Sequence, residues 1–121
     1  MNYESCTKAV STSRPGVSYT IRKMSVERRA GLTRRLRTLL QKIEFLENGN
    51  DPRESTEAAL LATEVDREYL LWGLVEVTGL EVDGQAATPE TLVAAGPEDL
   101  CREIVAAIRA ECGLTEDERK N

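Results

Sequence analysis

The sequence predicts an α+β, predominantly α-helical domain. Its parts are a long antiparallel helical hairpin, a small β-hairpin or three-stranded sheet, and C-terminal helices. Three observations carry this. A basic, leucine-spaced run, "RRLRTLLQKIEFLE", stops at "NGN" and gives way at once to "DPRE" and a run of acids. Val17, Tyr19 and Ile21 alternate with Ser18, Thr20 and Arg22, the period of a half-buried strand. Finally, "LEVDGQAA" places Asp83-Gly84 where a tight hairpin needs two positive-φ residues.

Taken in order, residues 1–16 are polar, rich in Ser and Thr, and end in "RPG", which predicts a mobile N-terminal arm. Residues 17–113 form a single domain, and 114–121 a charged C-terminal tail. The strand over 17–23 leads into a helix capped by Ser25 and stopped after Glu47. Asp51, Pro52 and Glu54 supply an acid cap, a proline in the first turn and a capping-box acid for the second helix. That helix is expected to run to about Val77. The hairpin at 80–87 follows and is expected to gain residues 17–23 as a third strand, since two strands alone are marginal. Thr88-Pro89-Glu90 opens a short helix ending at Gly96. Pro97 starts the last one, with Leu100, Ile104, Val105 and Ile108 on one stripe and Gly113 ending it.

Leu32, Leu36, Leu39, Ile43 and Leu46 alternate spacings of four and three, a heptad-like seam. Ala58, Leu61, Val65, Trp72 and Val75 form the matching stripe. A short loop forces the two helices antiparallel. Leu36 then falls opposite Leu61, Leu39 opposite Ala58 and Leu32 opposite Val65. The same alignment pairs Lys42 with Glu57, Arg35 with Glu64 and Arg29 with Glu68. Leucine burial, about 1.5–3 kcal/mol per side chain, outweighs exposed ion pairs of roughly 0.2–1 kcal/mol. The charges select register and orientation.

The charge is divided along the chain. Residues 1–50 carry ten Lys and Arg against four Glu, or +6; residues 51–121 carry six against seventeen, or −11, and together these make the net −5. Such asymmetry calls for a partner, inside the chain or outside it. The longest apolar run, "YLLWGLV" (Tyr69–Val75), is far short of the roughly 20 residues that span a bilayer, so no membrane partner is expected. The N-terminus lacks the apolar stretch of a secretion signal, and the cytoplasm is the expected address.

Catalytic chemistry is poorly supplied. There is no histidine, no C-x-x-C, no Gly-rich phosphate loop and no G-x-S-x-G elbow. Cys101 and Cys112 lie about 16 Å apart on one helix, too far for a disulfide, and the three cysteines read as small buried hydrophobes. No catalytic residue, cofactor site or metal site is assigned, and the chain reads as a non-enzyme.

Two surfaces are candidates for binding. Around Trp72, the side chains of Leu70, Leu71 and Leu74 lie off the main stripe. They leave this end of the helix apolar nearly all round, in need of cover from the rest of the chain or from another protein. Gly73 beside them suggests close packing of a neighbouring element. On the first helix, Arg28, Arg34 and Arg37 remain outside the hairpin pairing. No aromatic is interleaved with them, so nucleic acid lacks its usual stacking platform.

From Asp66 to Ile108, "DREYLLWGLVEVTGLEVDGQAATPETLVAAGPEDLCREIVAAI" resembles the small phage tail assembly chaperones in its order of features. The matching residues are Trp72, Gly79, Asp83, Gly84, Thr88, Pro89, Leu92, Pro97, Leu100 and Ile104, with "SYTIRKMS" leading into the first helix. The resemblance implies a non-enzymatic protein that binds the tape measure protein during tail assembly and is absent from the finished virion. It also implies an extended product made by ribosomal frameshifting. A homo-oligomer is a further expected partner. The other readings are a nucleic-acid-binding regulator using Arg28, Arg34 and Arg37, and a structural virion component of the tail or connector.

Overall fold

The computed structural model describes residues 1–49 and 51–113. Chain order is β1 (Cys6–Val10), β2 (Ser18–Arg22), α1 (Val26–Glu47), α2 (Pro52–Gly73), β3 (Leu74–Thr78), β4 (Glu81–Val82), β5 (Gln85–Ala86), α3 (Pro89–Ala95) and α4 (Glu98–Glu111). The fold is α+β and mostly helical, as the sequence predicts.

Cap chemistry sets the helix starts. The Ser25 hydroxyl accepts the Arg28 N–H at 3.1 Å, and an Asp51 carboxylate oxygen accepts the Arg53 N–H at 2.9 Å, with Pro52 in the first turn. Thr88 and Thr91 cap each other reciprocally at the start of α3. Asp83 (φ 53°) and Gly84 (φ 81°) both take the left-handed conformation that a two-residue hairpin between β4 and β5 requires.

α1 and α2 form the antiparallel hairpin and make the most extensive contact of any two elements. Leu32, Leu36, Ala58, Val65 and Tyr69 are buried along it. Leu39, Ile43 and Leu61 are half-buried. The charge register differs from expectation. Arg35 pairs with Glu68, one turn beyond Glu64, and Arg29 donates to the Cys112 carbonyl instead of meeting Glu68. Among the described residues no ion pair joins Lys42 to Glu57 or Arg35 to Glu64. Long, partly exposed side chains can swing by a turn at little cost, so charge follows packing here.

The sheet corrects three expectations. Its order is β1-β2-β3, antiparallel throughout, while β4 and β5 stay a separate two-stranded pair. The third strand therefore comes from within residues 1–16, where an arm was expected, and not from the Asp-Gly hairpin. Helix α2 ends at Gly73 and not near Val77. A Cβ on Gly73 would stand 2.8–3.1 Å from the Ile108 side chain, so the chain passes α4 with no room for a larger residue. The backbone then turns directly into β3.

That strand was hidden by a β-bulge. Ile21 pairs with Leu74 but Thr20 with Glu76, so Val75 is the extra residue, 40% exposed. The buried residues of β3 become Leu74 and Val77, three apart like the stripe of a helix. Tyr19 and Ile21 of β2 join Leu74, Val77, Leu92, Leu100, Ile104 and Ile108 in one core. Among the described residues no helix is long and apolar enough to cross a membrane. The tail over 114–121 lies outside the described residues.

Candidate binding surface

The apolar end of α2 is covered from within the chain. Leu70 and Leu74 are only 4% and 3% exposed and belong to the core, with Leu71 and Trp72 half-buried. α3 and α4 both pack on α2, and Arg22 donates to the Trp72 carbonyl at 2.9 Å, tying β2 to the helix end. Leu70 and Leu74 are therefore packing residues. The apolar excess read from the sequence is real, but it faces inward.

The three arginines fare differently from one another. Arg28 is a local brace: its guanidinium donates to the carbonyls of Ser5 and Lys23, fastening the start of the chain to α1. Arg34 donates to the Ala30 carbonyl one turn back. Arg37 has no hydrogen-bond or ion-pair partner among the described residues. They do not form one cationic surface.

Arg37 belongs instead to a groove the sequence reading did not identify. It is an open cavity of about 300 Å³ along one flank of α1, reaching the ends of α2 and α4. Its floor is Met24, Leu32, Leu36, Leu40 and Tyr69, with Cys112 at one end. Arg29 and Arg37 stand on the rim, about 12 Å apart at 1.5 Å per residue, and Glu44 closes the far end. Arg109 stacks 4.7 Å from the Tyr69 ring and holds Asp66 at 2.9 Å, which fixes Tyr69 beneath the groove. Leu40, the exposed leucine here, continues the floor outward along the hairpin. Spacing gave a partial signal: Leu40 follows Leu36 by four residues, where the α1–α2 seam instead steps three to Leu39. What the sequence could not show is that α4 ends beside them.

A second cavity of about 440 Å³ lies between α2, α3 and α4. Most of its rim charges are matched inside the chain, Asp66 with Arg109 and Glu98 with Arg102 at 2.6 Å, while Arg67 has no ion-pair partner among the described residues. In the α1 groove neither arginine pairs with a carboxylate among the described residues. An apolar floor under cations of this kind suits an apolar ridge with acidic neighbours.

The groups with shifted ionisation lie elsewhere. Glu103 accepts hydrogen bonds from Ser11, Thr12, Ser13 and Tyr19. Burial pushes its carboxyl up, but the donors from Ser13, Ser11 and Thr12 outweigh that and hold it at about 2. Burial, then the Glu103 bond and charge, push the Tyr19 phenol up to about 12. Burial also raises the Cys101 and Cys112 thiols, so neither is disposed to act as a thiolate. No family model matches this chain, and comparison with curated proteins and with solved structures likewise finds no match.

Proposed function

We propose that this chain is a non-enzymatic tail assembly chaperone of phage or prophage origin. In the host cytoplasm, it would hold an apolar helical segment of the tape measure protein in the α1 groove until the tail is built. The observation that carries the binding role is the leucine-floored groove whose rim cations, Arg29 and Arg37, have no acid partner among the described residues. The tail-assembly identity comes from the order of features between Asp66 and Ile108. Two strongly shifted groups are themselves ill suited to general acid–base work. Glu103 at about 2 and Tyr19 at about 12 are both displaced away from neutrality, whereas proton transfer needs values near it.

Co-expression with a tape measure protein tests this directly. The expected result is a soluble complex that co-purifies, and Leu40→Asp, at an exposed position on the groove floor, weakens it at least about tenfold. Failure to associate with any tail protein sinks the proposal. Purified virions should lack the chain; finding it there by mass spectrometry favours a structural component instead.

A further inference from the structure

The hairpin has a second open side. Among the described residues, Arg35–Glu68 is the ion pair that joins α1 to α2. Lys42 on α1 and Glu57 and Glu64 on α2 have no ion-pair or hydrogen-bond partner among the described residues. Two exposed apolar side chains stand among them. Phe45, 77% exposed, is one turn along α1 from Lys42; Leu60, 61% exposed, lies between Glu57 and Glu64 on one face of α2. Between residues 37 and 64 only Ala58 is buried among the described residues, with Leu39 and Ile43 half-buried against the core, so most of this half of the hairpin is open to water. Lys42 is about 200° around α1 from Leu40 at 3.6 residues per turn, which places this surface away from the groove.

We propose that this surface binds a second copy of the same chain, hairpin against hairpin, about a two-fold axis parallel to the helices. The assignment goes beyond the chaperone reading and does not depend on it. Such a rotation lays α1 of each copy over α2 of the other. A basic helix then covers an acidic one twice, with Lys42 of each copy beside Glu57 and Glu64 of the other. The same contact covers Phe45 and Leu60, which the folded chain leaves in water. A hairpin with one basic and one acidic arm is complementary to itself, so no foreign partner is required to match it.

Sedimentation and light scattering from micromolar to sub-millimolar concentration test the pairing. The wild-type chain is expected to dimerise, less tightly as salt rises. Lys42→Glu in one preparation, and Glu57→Lys with Glu64→Lys in another, should each weaken the dimer about tenfold or more, since every contact becomes like-charged. Mixing the two in equal amounts should restore it, because both contacts of the mixed dimer are again of opposite sign. Pairing within one chain cannot be rescued by mixing. Phe45→Ser with Leu60→Ser should weaken the dimer at unchanged helicity. A wild-type chain that stays monomeric, or charge variants that associate no better mixed than alone, overturns the proposal.

Discussion

The phenol of Tyr19 donates to Oε2 of Glu103 at 3.0 Å, joining β2 to α4 across 84 positions of sequence. The same carboxylate accepts Ser11 Oγ at 2.9 Å, Ser13 Oγ at 2.7 Å and the N–H groups of Thr12 and Ser13. Ser11 is only 7% exposed, so its hydroxyl needs a partner, and Glu103 provides one. Arg14 adds a contact to Asp99 at 3.0 Å. One glutamate thus gathers the loop between β1 and β2 onto the last helix and fixes the edge of the sheet.

This clamp makes stability depend on acid. The folded Glu103 carboxyl titrates at about 2 against an ordinary 4.5, so the unfolded chain takes up the proton first. Its stabilisation is complete above about pH 4.5 and is lost as pH falls toward 2. Glu103→Gln should cost about 1–3 kcal/mol at neutral pH by leaving the Ser and Tyr donors poorly matched. Urea melts over an acid series check this: the variant's stability should fall less steeply than the wild type's below pH 4.5.

Tyr19 gives the complementary alkaline limb. Its phenol is raised from 10 to about 12, so between those values the unfolded chain ionises it while the folded chain keeps the proton. Stability therefore declines as pH rises through this window. Tyr19→Phe should cost about 0.5–1.5 kcal/mol near neutrality for the lost hydrogen bond. It should also flatten that decline, as read from denaturant melts at alkaline pH.

Gly73→Ala distinguishes packing from propensity. Alanine is favoured over glycine by about 1 kcal/mol in a helix interior and by less at a last helical residue such as Gly73, so propensity alone predicts a small gain. The new Cβ would stand 2.8 Å from Ile108 Cγ2, and Ile108 is fully buried. Overpacking a site of this kind costs about 1–3 kcal/mol, and the net change should be destabilising. A raised midpoint of thermal unfolding in the variant would contradict the close approach of α2 and α4.

What could be read from the sequence follows from which features are local. Ser25, Asp51-Pro52, Thr88 and Asp83-Gly84 act within three residues of themselves, and each sits at the boundary it marks. β1 was missed because "CTKAV" has few large apolar residues, and the Glu103 contact that holds the loop after it comes from 92 positions further along the chain. β3 was missed because Val75 bulges out and converts a strand into a helix-like spacing. The Leu70 and Leu74 surplus was visible, but not that α3 and α4 return to the α2 helix that carries it. The groove was least legible of all, since it exists only where the end of α4 meets α1.

The hairpin finally allows burial and charge to be compared at adjacent positions. Leu36 is 3% exposed on the seam, while Arg35 beside it pairs with Glu68 at a part-exposed site. Leu36→Ala removes three heavy atoms from the core and should cost about 2–5 kcal/mol. Arg35→Ala should cost about 0.2–1 kcal/mol, less at high salt. Denaturant melts of the two variants at low and high salt separate the terms. If Arg35→Ala proves as damaging as Leu36→Ala, the ion pair sets the register of the hairpin and the leucine seam does not.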